Sequence, residues 1–318
     1  MKLGLISNPG SERNKRGLAA VDEAVEGASD VLHVHLENVA ALPAVLSDFA
    51  RREVAVLGIA SGDGTVQATL TTLFGDRPFE TPPPLALLPR GMTNLIAGDV
   101  GLPARPARAL GRLLRCLREG DLERHLEARS ILRVDNLAEA PPQWGMYFGA
   151  AGMARVTHYC YDRVHSRGVK HQWATAATLF GLLLSQLFGR GPEEVFRGSE
   201  LAVGFDNAAA DTRRRVFVLV TTLHRLILGT RPFWNLGQGP LRYSAIADPA
   251  QGLLRHAYAL LYGGGERRLP PETYESRSCH RLELGTDEEI ILDGQFFMPR
   301  PGEPLILTAP ETARFVAI

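Results

Sequence analysis

Val54-Ala55-Val56-Leu57-Gly58-Ile59-Ala60-Ser61-Gly62-Asp63-Gly64-Thr65 is an apolar run of strand length that turns abruptly polar and glycine-rich, with a helical run beginning near Val66. The same succession recurs at Leu85-Ala86-Leu87-Leu88, where Pro89 ends the strand and Arg90-Gly91-Met92-Thr93-Asn94 opens another helix. A third instance stands at the amino terminus, where Leu3 to Ile6 reads as a strand and Asn8-Pro9-Gly10-Ser11 as a polar turn. Val31 to Leu36 makes a further strand. Between these runs, Leu18, Val21 and Val25, and then Leu42, Val45, Leu46 and Phe49, recur at helical spacing. Strands alternating with helices imply a parallel sheet covered on both faces. In such sheets ligands bind beyond the carboxyl ends of the strands, which is where the three turns fall.

Further along, Leu110, Leu113, Leu114 and Leu117 form one stripe of a helix over 104–119, with Arg108, Arg112 and Arg115 facing elsewhere. Gly120-Asp121 breaks that pattern. Beyond it, His125 to Val134, Gly145 to Ala150, Leu201 to Phe205, Val216 to Thr221, Arg242 to Ile246 and Leu305 to Leu307 read as strands with longer connections. This is the pattern of a mainly antiparallel second domain, interrupted by an apolar helix over Trp173 to Phe188. The expected fold is therefore a two-domain α/β protein. A parallel α/β domain spans 1–124, and a mainly antiparallel, β-rich domain spans 125–318.

Composition narrows the class. The 318 residues are 45% hydrophobic and 22% charged, a globular balance that excludes collagen-like, coiled-coil and disordered chains. Thirty-five basic and 35 acidic residues give a formal net charge of zero, so no global field favours nucleic acid as a partner. Tyr159, Tyr161, Arg163, His165, Arg167, Lys170 and His171 mix aromatic and basic groups, but stacking on RNA needs a common exposed face. Cys116, Cys160 and Cys279 suit neither a disulfide framework nor close metal-ligand spacing. The opening residues turn polar too soon for a secretion signal, and no apolar stretch reaches the ~20 residues of a membrane span. The expected location is cytoplasmic, with peripheral contact at the inner membrane. The Trp173–Phe188 helix, flanked by Lys170, His171 and Arg190, suits an acyl-chain groove or a membrane surface. A buried core helix or a homodimer helix explains the same letters.

The turns carry the chemistry. Gly62 and Gly64 allow positive φ and close backbone approach, and amides at such a turn and the following helix start converge on phosphate oxygens. Thr65 can cap that helix or offer its hydroxyl. Asn94 can both donate and accept, which suits orienting a ligand or pinning one loop to the other. Asn8 and Pro9 could close over a nucleotide, with Arg13, Lys15 and Arg16 near enough to offset phosphate charge. Neither turn is the G-x-G-x-x-G fingerprint, and no G-x-x-x-x-G-K-S/T run occurs.

These residues give the chain a resemblance to the diacylglycerol kinase catalytic family, which includes bacterial lipid kinases and the sphingosine and ceramide kinases. The family's G-G-D-G-T is matched by Ser61-Gly62-Asp63-Gly64-Thr65, and its P-x-G-T-x-N-D by Pro89-Arg90-Gly91-Met92-Thr93-Asn94-Leu95. Its N-P turn corresponds to Asn8-Pro9 and its D-G-E to Asp293-Gly294-Gln295. The resemblance implies ATP, with Mg2+, bound in a cleft between the two domains by Asn8, Pro9, Ser61, Gly62, Asp63, Gly64, Thr65, Gly91, Met92, Thr93 and Asn94. It implies transfer of the γ-phosphoryl group to a lipid hydroxyl such as that of diacylglycerol or a sphingoid base, with Asp293 as general base and Asp63 as the competing catalytic carboxylate. It also implies that the last strand, Phe315–Ile318, returns to the first domain. The metal ligands are not named by spacing. The chain departs from the family pattern at Ser61, Met92, Leu95 and Gln295, and Gln238-Gly239-Pro240 stands near where an acidic D-D-G is common. A noncatalytic nucleotide- or lipid-binding relative, and a kinase of another small molecule such as NAD, stay open as alternatives.

Overall fold

The computed structural model describes residues 1–11, 14, 18–91, 93–102, 106–167 and 196–318. Arg13, Lys15, Arg16, Met92 and the Trp173–Phe188 segment lie outside the described residues, as do the side chains of 160–167. The chain divides into two compact units, one of Met1–Ser130 with Glu311–Ile318 and one of Ile131–Pro310.

The first unit is the parallel α/β layer that strand-helix alternation requires. In chain order it contains β1 (Lys2–Ser7), α1 (Ala19–Val25), β2 (Val31–His35), α2 (Leu42–Arg51), β3 (Val54–Ser61), α3 (Asp63–Thr71), β4 (Leu85–Pro89), α4 (Leu95–Val100) and α5 (Pro106–Glu119). β1 pairs in parallel with β2 on one side and β3 on the other, and β4 pairs in parallel with β3. The spatial order β2-β1-β3-β4 therefore reverses direction at β1 and β3, the kind of switch point where a crevice opens in such sheets. One face is closed by α1 and α5, with Val21, Leu110, Leu113 and Leu117 packed against Leu3, Leu5, Val56 and Leu88. The other receives α2, whose Leu42, Leu46 and Phe49 are buried on one side of the helix. A Cβ at Gly4 would sit 2.6 Å from Phe49, so glycine there sets how closely α2 approaches the sheet.

The second unit is antiparallel. Its elements are β5 (Leu126–Asp135, which begins in the first unit), β6 (Gln143–Gly145), β7 (Tyr147–Ala151), α6 (Gly152–Arg167), β8 (Ser199–Phe205), β9 (Asp211–Thr221), β10 (Leu241–Ala247), α7 (Leu253–Tyr262), β11 (Tyr274–Cys279), β12 (Arg281–Gly285), β13 (Ile290–Leu292), β14 (Gln295–Phe297) and β15 (Leu305–Val316). β9 lies between β7 and β8 and also pairs with β10, all antiparallel. Alternation with period two buries Leu201 and Val203, Val218 and Val220, Leu282 and Leu284, and Leu305 and Leu307 in one core. On the opposite face Phe217, Ile246 and Tyr274, which are register partners, pack with Val156 of α6 and Leu260 of α7.

β15 is longer than the Leu305–Leu307 run suggests. Leu305 to Thr308 pair antiparallel with β12 inside the second unit, while Phe315 pairs parallel with Leu85 of β4 inside the first. Phe315 and Val316 are fully buried.

Candidate functional site

Within the first unit the three turns after β1, β3 and β4 meet. Gly62 and Gly91 touch backbone to backbone, and a Cβ built on Gly62 would stand 2.9 Å from the Gly91 Cα. Both turns therefore need glycine for mutual approach and not for an unusual φ. The Arg90 N–H donates to the Ser61 carbonyl at 3.1 Å, tying the start of the second turn to the end of β3. The first turn joins in through hydroxyls: the Asn8 side-chain amide donates to Thr65 Oγ1 at 3.1 Å, and the Ser61 hydroxyl to the same oxygen at 2.7 Å. Thr65 is buried inside α3 and does not cap it; the cap position belongs to Gly62, which has no side chain to offer. The first amides of α3 thus open the helix without a side-chain cap, the arrangement that suits an anion.

Asp63 performs a different task. Its Oδ2 accepts the Leu95 N–H at 2.9 Å and its Oδ1 the Ile96 N–H at 3.1 Å. The carboxylate caps the start of α4 from a neighbouring helix, with the same physics as a local cap. Burial pushes the Asp63 carboxyl above its ordinary range, against the opposing pull of the amides of Leu95, Ile96 and Asn94. Asn94 is buried in the left-handed region at φ 51° and closes its own turn reciprocally, accepting from the Gly91 N–H at 2.7 Å and donating to the Gly91 carbonyl at 2.8 Å. Thr93 is exposed beside it.

Two residues of this cluster escape the motif reading. Asn14 donates to the carbonyls of Asn8 and Ala60, both at 2.8 Å, and accepts from Arg90 Nε at 2.6 Å. It is 4% exposed, a buried polar link among all three turns. Burial lowers the pKa of the Arg90 guanidinium, which still carries its charge at any working pH and supplies a cation where the turns converge. A buried Asn in a short polar run carries no periodicity, so only the folded chain reveals it.

Asp293 lies in the second unit. With Gly294 it forms the two-residue turn between β13 and β14, at φ 47° and 87°, values that match the type I′ geometry favoured by Asp-Gly. Its carboxylate is 2% exposed and accepts the N–H of Met146 at 2.8 Å and of Tyr147 at 2.9 Å. Its own N–H donates to the Tyr147 carbonyl at 2.9 Å. Only glycine fits at 145, because a Cβ there would collide with Asp293 Oδ2. Burial and the Asp293 charge push the Tyr147 hydroxyl far up, so the phenol beside this carboxylate stays protonated. Gln295, in place of the family's acid, is exposed.

Residues 2–124 match the family model described as the diacylglycerol kinase catalytic domain. Three solved structures of diacylglycerol kinases from Bacillus anthracis str. Sterne, two of them carrying that name provisionally, resemble the whole chain. Each is 15% identical, with 100% of this chain and 97% of the other covered, at TM-scores of 0.62, 0.67 and 0.68. At that identity the likeness is one of fold. No curated protein matches the chain. The three turns at the carboxyl ends of β1, β3 and β4 all fall within the segment, residues 2–124, that is similar to the diacylglycerol kinase catalytic domain.

Proposed function

We propose that the protein is an ATP-dependent lipid kinase, transferring the γ-phosphoryl group of ATP to the hydroxyl of a lipid such as diacylglycerol or a sphingoid base. The observation that carries this reading is the backbone contact of Gly62 with Gly91. It gathers the α3 start, Asn8, Thr65 and Arg90 at the carboxyl ends of β1, β3 and β4. Amides and a guanidinium at that position suit a polyphosphate. Asp63 serves here by holding α4 in place, and the acceptor-side carboxylate is Asp293. Two backbone amides hold Asp293 in one orientation. In the reaction the acceptor oxygen forms the new bond to phosphorus, the bond to the β-phosphate oxygen breaks, and the acceptor proton passes to Asp293. Mg2+ would enter with the nucleotide, because such ions keep several waters and phosphate oxygens as ligands. Among the described residues the turns gather no group of three carboxylate or imidazole ligands. The same reading places the protein in the cytoplasm, at the periphery of the inner membrane where its acceptor resides.

Mass-resolved phosphorylation of a total lipid extract with ATP tests the reading. Asp293→Asn should bind ATP as the wild type does and lose transfer by about 10²–10⁴-fold; normal turnover would remove Asp293 from the chemistry. The second reading, a noncatalytic nucleotide or lipid binder, is favoured by Leu95 and Gln295 standing where acids are usual and by the engagement of both carboxylates with amides. Saturable ATP or lipid binding with no labelled product across lipid and soluble acceptors, NAD included, would establish it.

A further inference from the structure

On the α1-covered face of the first unit stands a group that the turns do not use. His33 and His35 are two residues apart on β2 and so project from the same face, and α1 presents Asp22 to both. Asp22 Oδ1 lies 3.4 Å from His33 Nδ1 and 3.4 Å from His35 Nε2, and the three atoms all lie within 4.8 Å of one another. These are not hydrogen bonds. Oδ1 is buried with no hydrogen-bond partner, and charge-assisted bonds of this type run about 2.7–2.9 Å.

The spacing does fit the edge of a coordination tetrahedron. Metal-ligand bonds of about 2.0–2.1 Å separate neighbouring ligand atoms by about 3.3–3.4 Å. The second nitrogen of His33 is also placed as a ligand requires: Nε2 is 2.8 Å from Ser7 Oγ, and Ser7 is fully buried at the end of β1. A ring that donates its Nε2–H to that hydroxyl turns a bare Nδ1 lone pair toward the carboxylate oxygen. Two lone pairs facing each other repel, and a cation between them turns repulsion into coordination. Anchoring of the remote ring nitrogen is how proteins fix the tautomer of a ligating histidine.

We infer that Asp22, His33 and His35 form a zinc site with a fourth position left for water, clamping α1 to β2. Two imidazoles and one carboxylate suit Zn2+ and not Mg2+, which prefers oxygen ligands. The site is therefore separate from any magnesium that accompanies a nucleotide, and it does not rest on the kinase reading. His35, 46% exposed, leaves a route for entry from solvent.

The test uses the untagged full-length chain, stripped with chelator and titrated calorimetrically with Zn2+, with Co2+ as a visible probe. The expected result is one zinc per chain, tetrahedral cobalt absorption and a zinc-dependent rise in melting temperature. His35→Ala and Asp22→Asn should each weaken zinc binding more than tenfold and abolish the cobalt spectrum, while Ser7→Ala should weaken binding about tenfold through the anchoring bond alone. A wild-type chain that takes up no zinc, or uptake unchanged in His35→Ala or Asp22→Asn, would overturn the site.

Discussion

Asp63 shows how a motif residue acquires its work from the fold. In the sequence it is an acid between two glycines, equally suited to chemistry, metal or a local turn. In the structure both oxygens receive amides from the start of α4. Asp63→Ala should therefore cost about 1–3 kcal/mol, by leaving two N–H groups without their acceptor, measured by thermal or urea unfolding. Asp63→Asn, which keeps one acceptor, should fall between the two; equal stability of Asp63→Ala and the wild type would dismiss the cap. The sequence makes Asn94 legible as a loop-pinning side chain, and the structure has it close its own turn through Gly91. Asn14 was not legible, since its three partners come from residues 6, 46 and 76 positions away.

Periodicity revealed the elements more readily than the residues. Leu110, Leu113 and Leu117 form a buried stripe on α5 as their spacing predicts, and Leu201, Val218 and Leu305 fall on strands that alternate inward. The single strand expected over Gly145 to Ala150 divides at Met146, whose N–H turns to Asp293 and whose carbonyl accepts the Thr221 hydroxyl at 2.7 Å. α6, α7, β11 and β12 went unread because their stripes are broken by polar residues such as Arg155, His256, Ser276 and Glu283, and tertiary packing decides them. At this scale the contact of two turns has a direct consequence. Gly62→Ala must push Gly91 away, so it should destabilise the protein by about 1–3 kcal/mol and weaken nucleotide binding together with it. Equilibrium unfolding and a nucleotide titration on the same variant check both, and an unchanged variant would show that the turns need no close approach.

For the whole molecule, the parallel and antiparallel halves were readable from the change in strand pattern after Gly120, and the family resemblance implied the return of Phe315–Ile318 to the first unit, whereas the unbroken course of β15 from Leu305 was not readable. Its middle, Thr308 to Ala313, is polar and reads as loop, yet the strand runs unbroken to Val316. Deleting residues 311–318 removes Phe315 and Val316 from the core of the first unit. Each buried side chain is worth about 1.5–3 kcal/mol, so the truncated chain should lose amide-exchange protection in β3 and β4 first. Full protection there would show that the unit closes without its last strand. An ordering constraint on biosynthesis follows from the same strand. The strands of the first unit up to β4 are made long before Glu311–Val316, so the open side of β4 waits, exposed to wrong partners, until that segment leaves the ribosome.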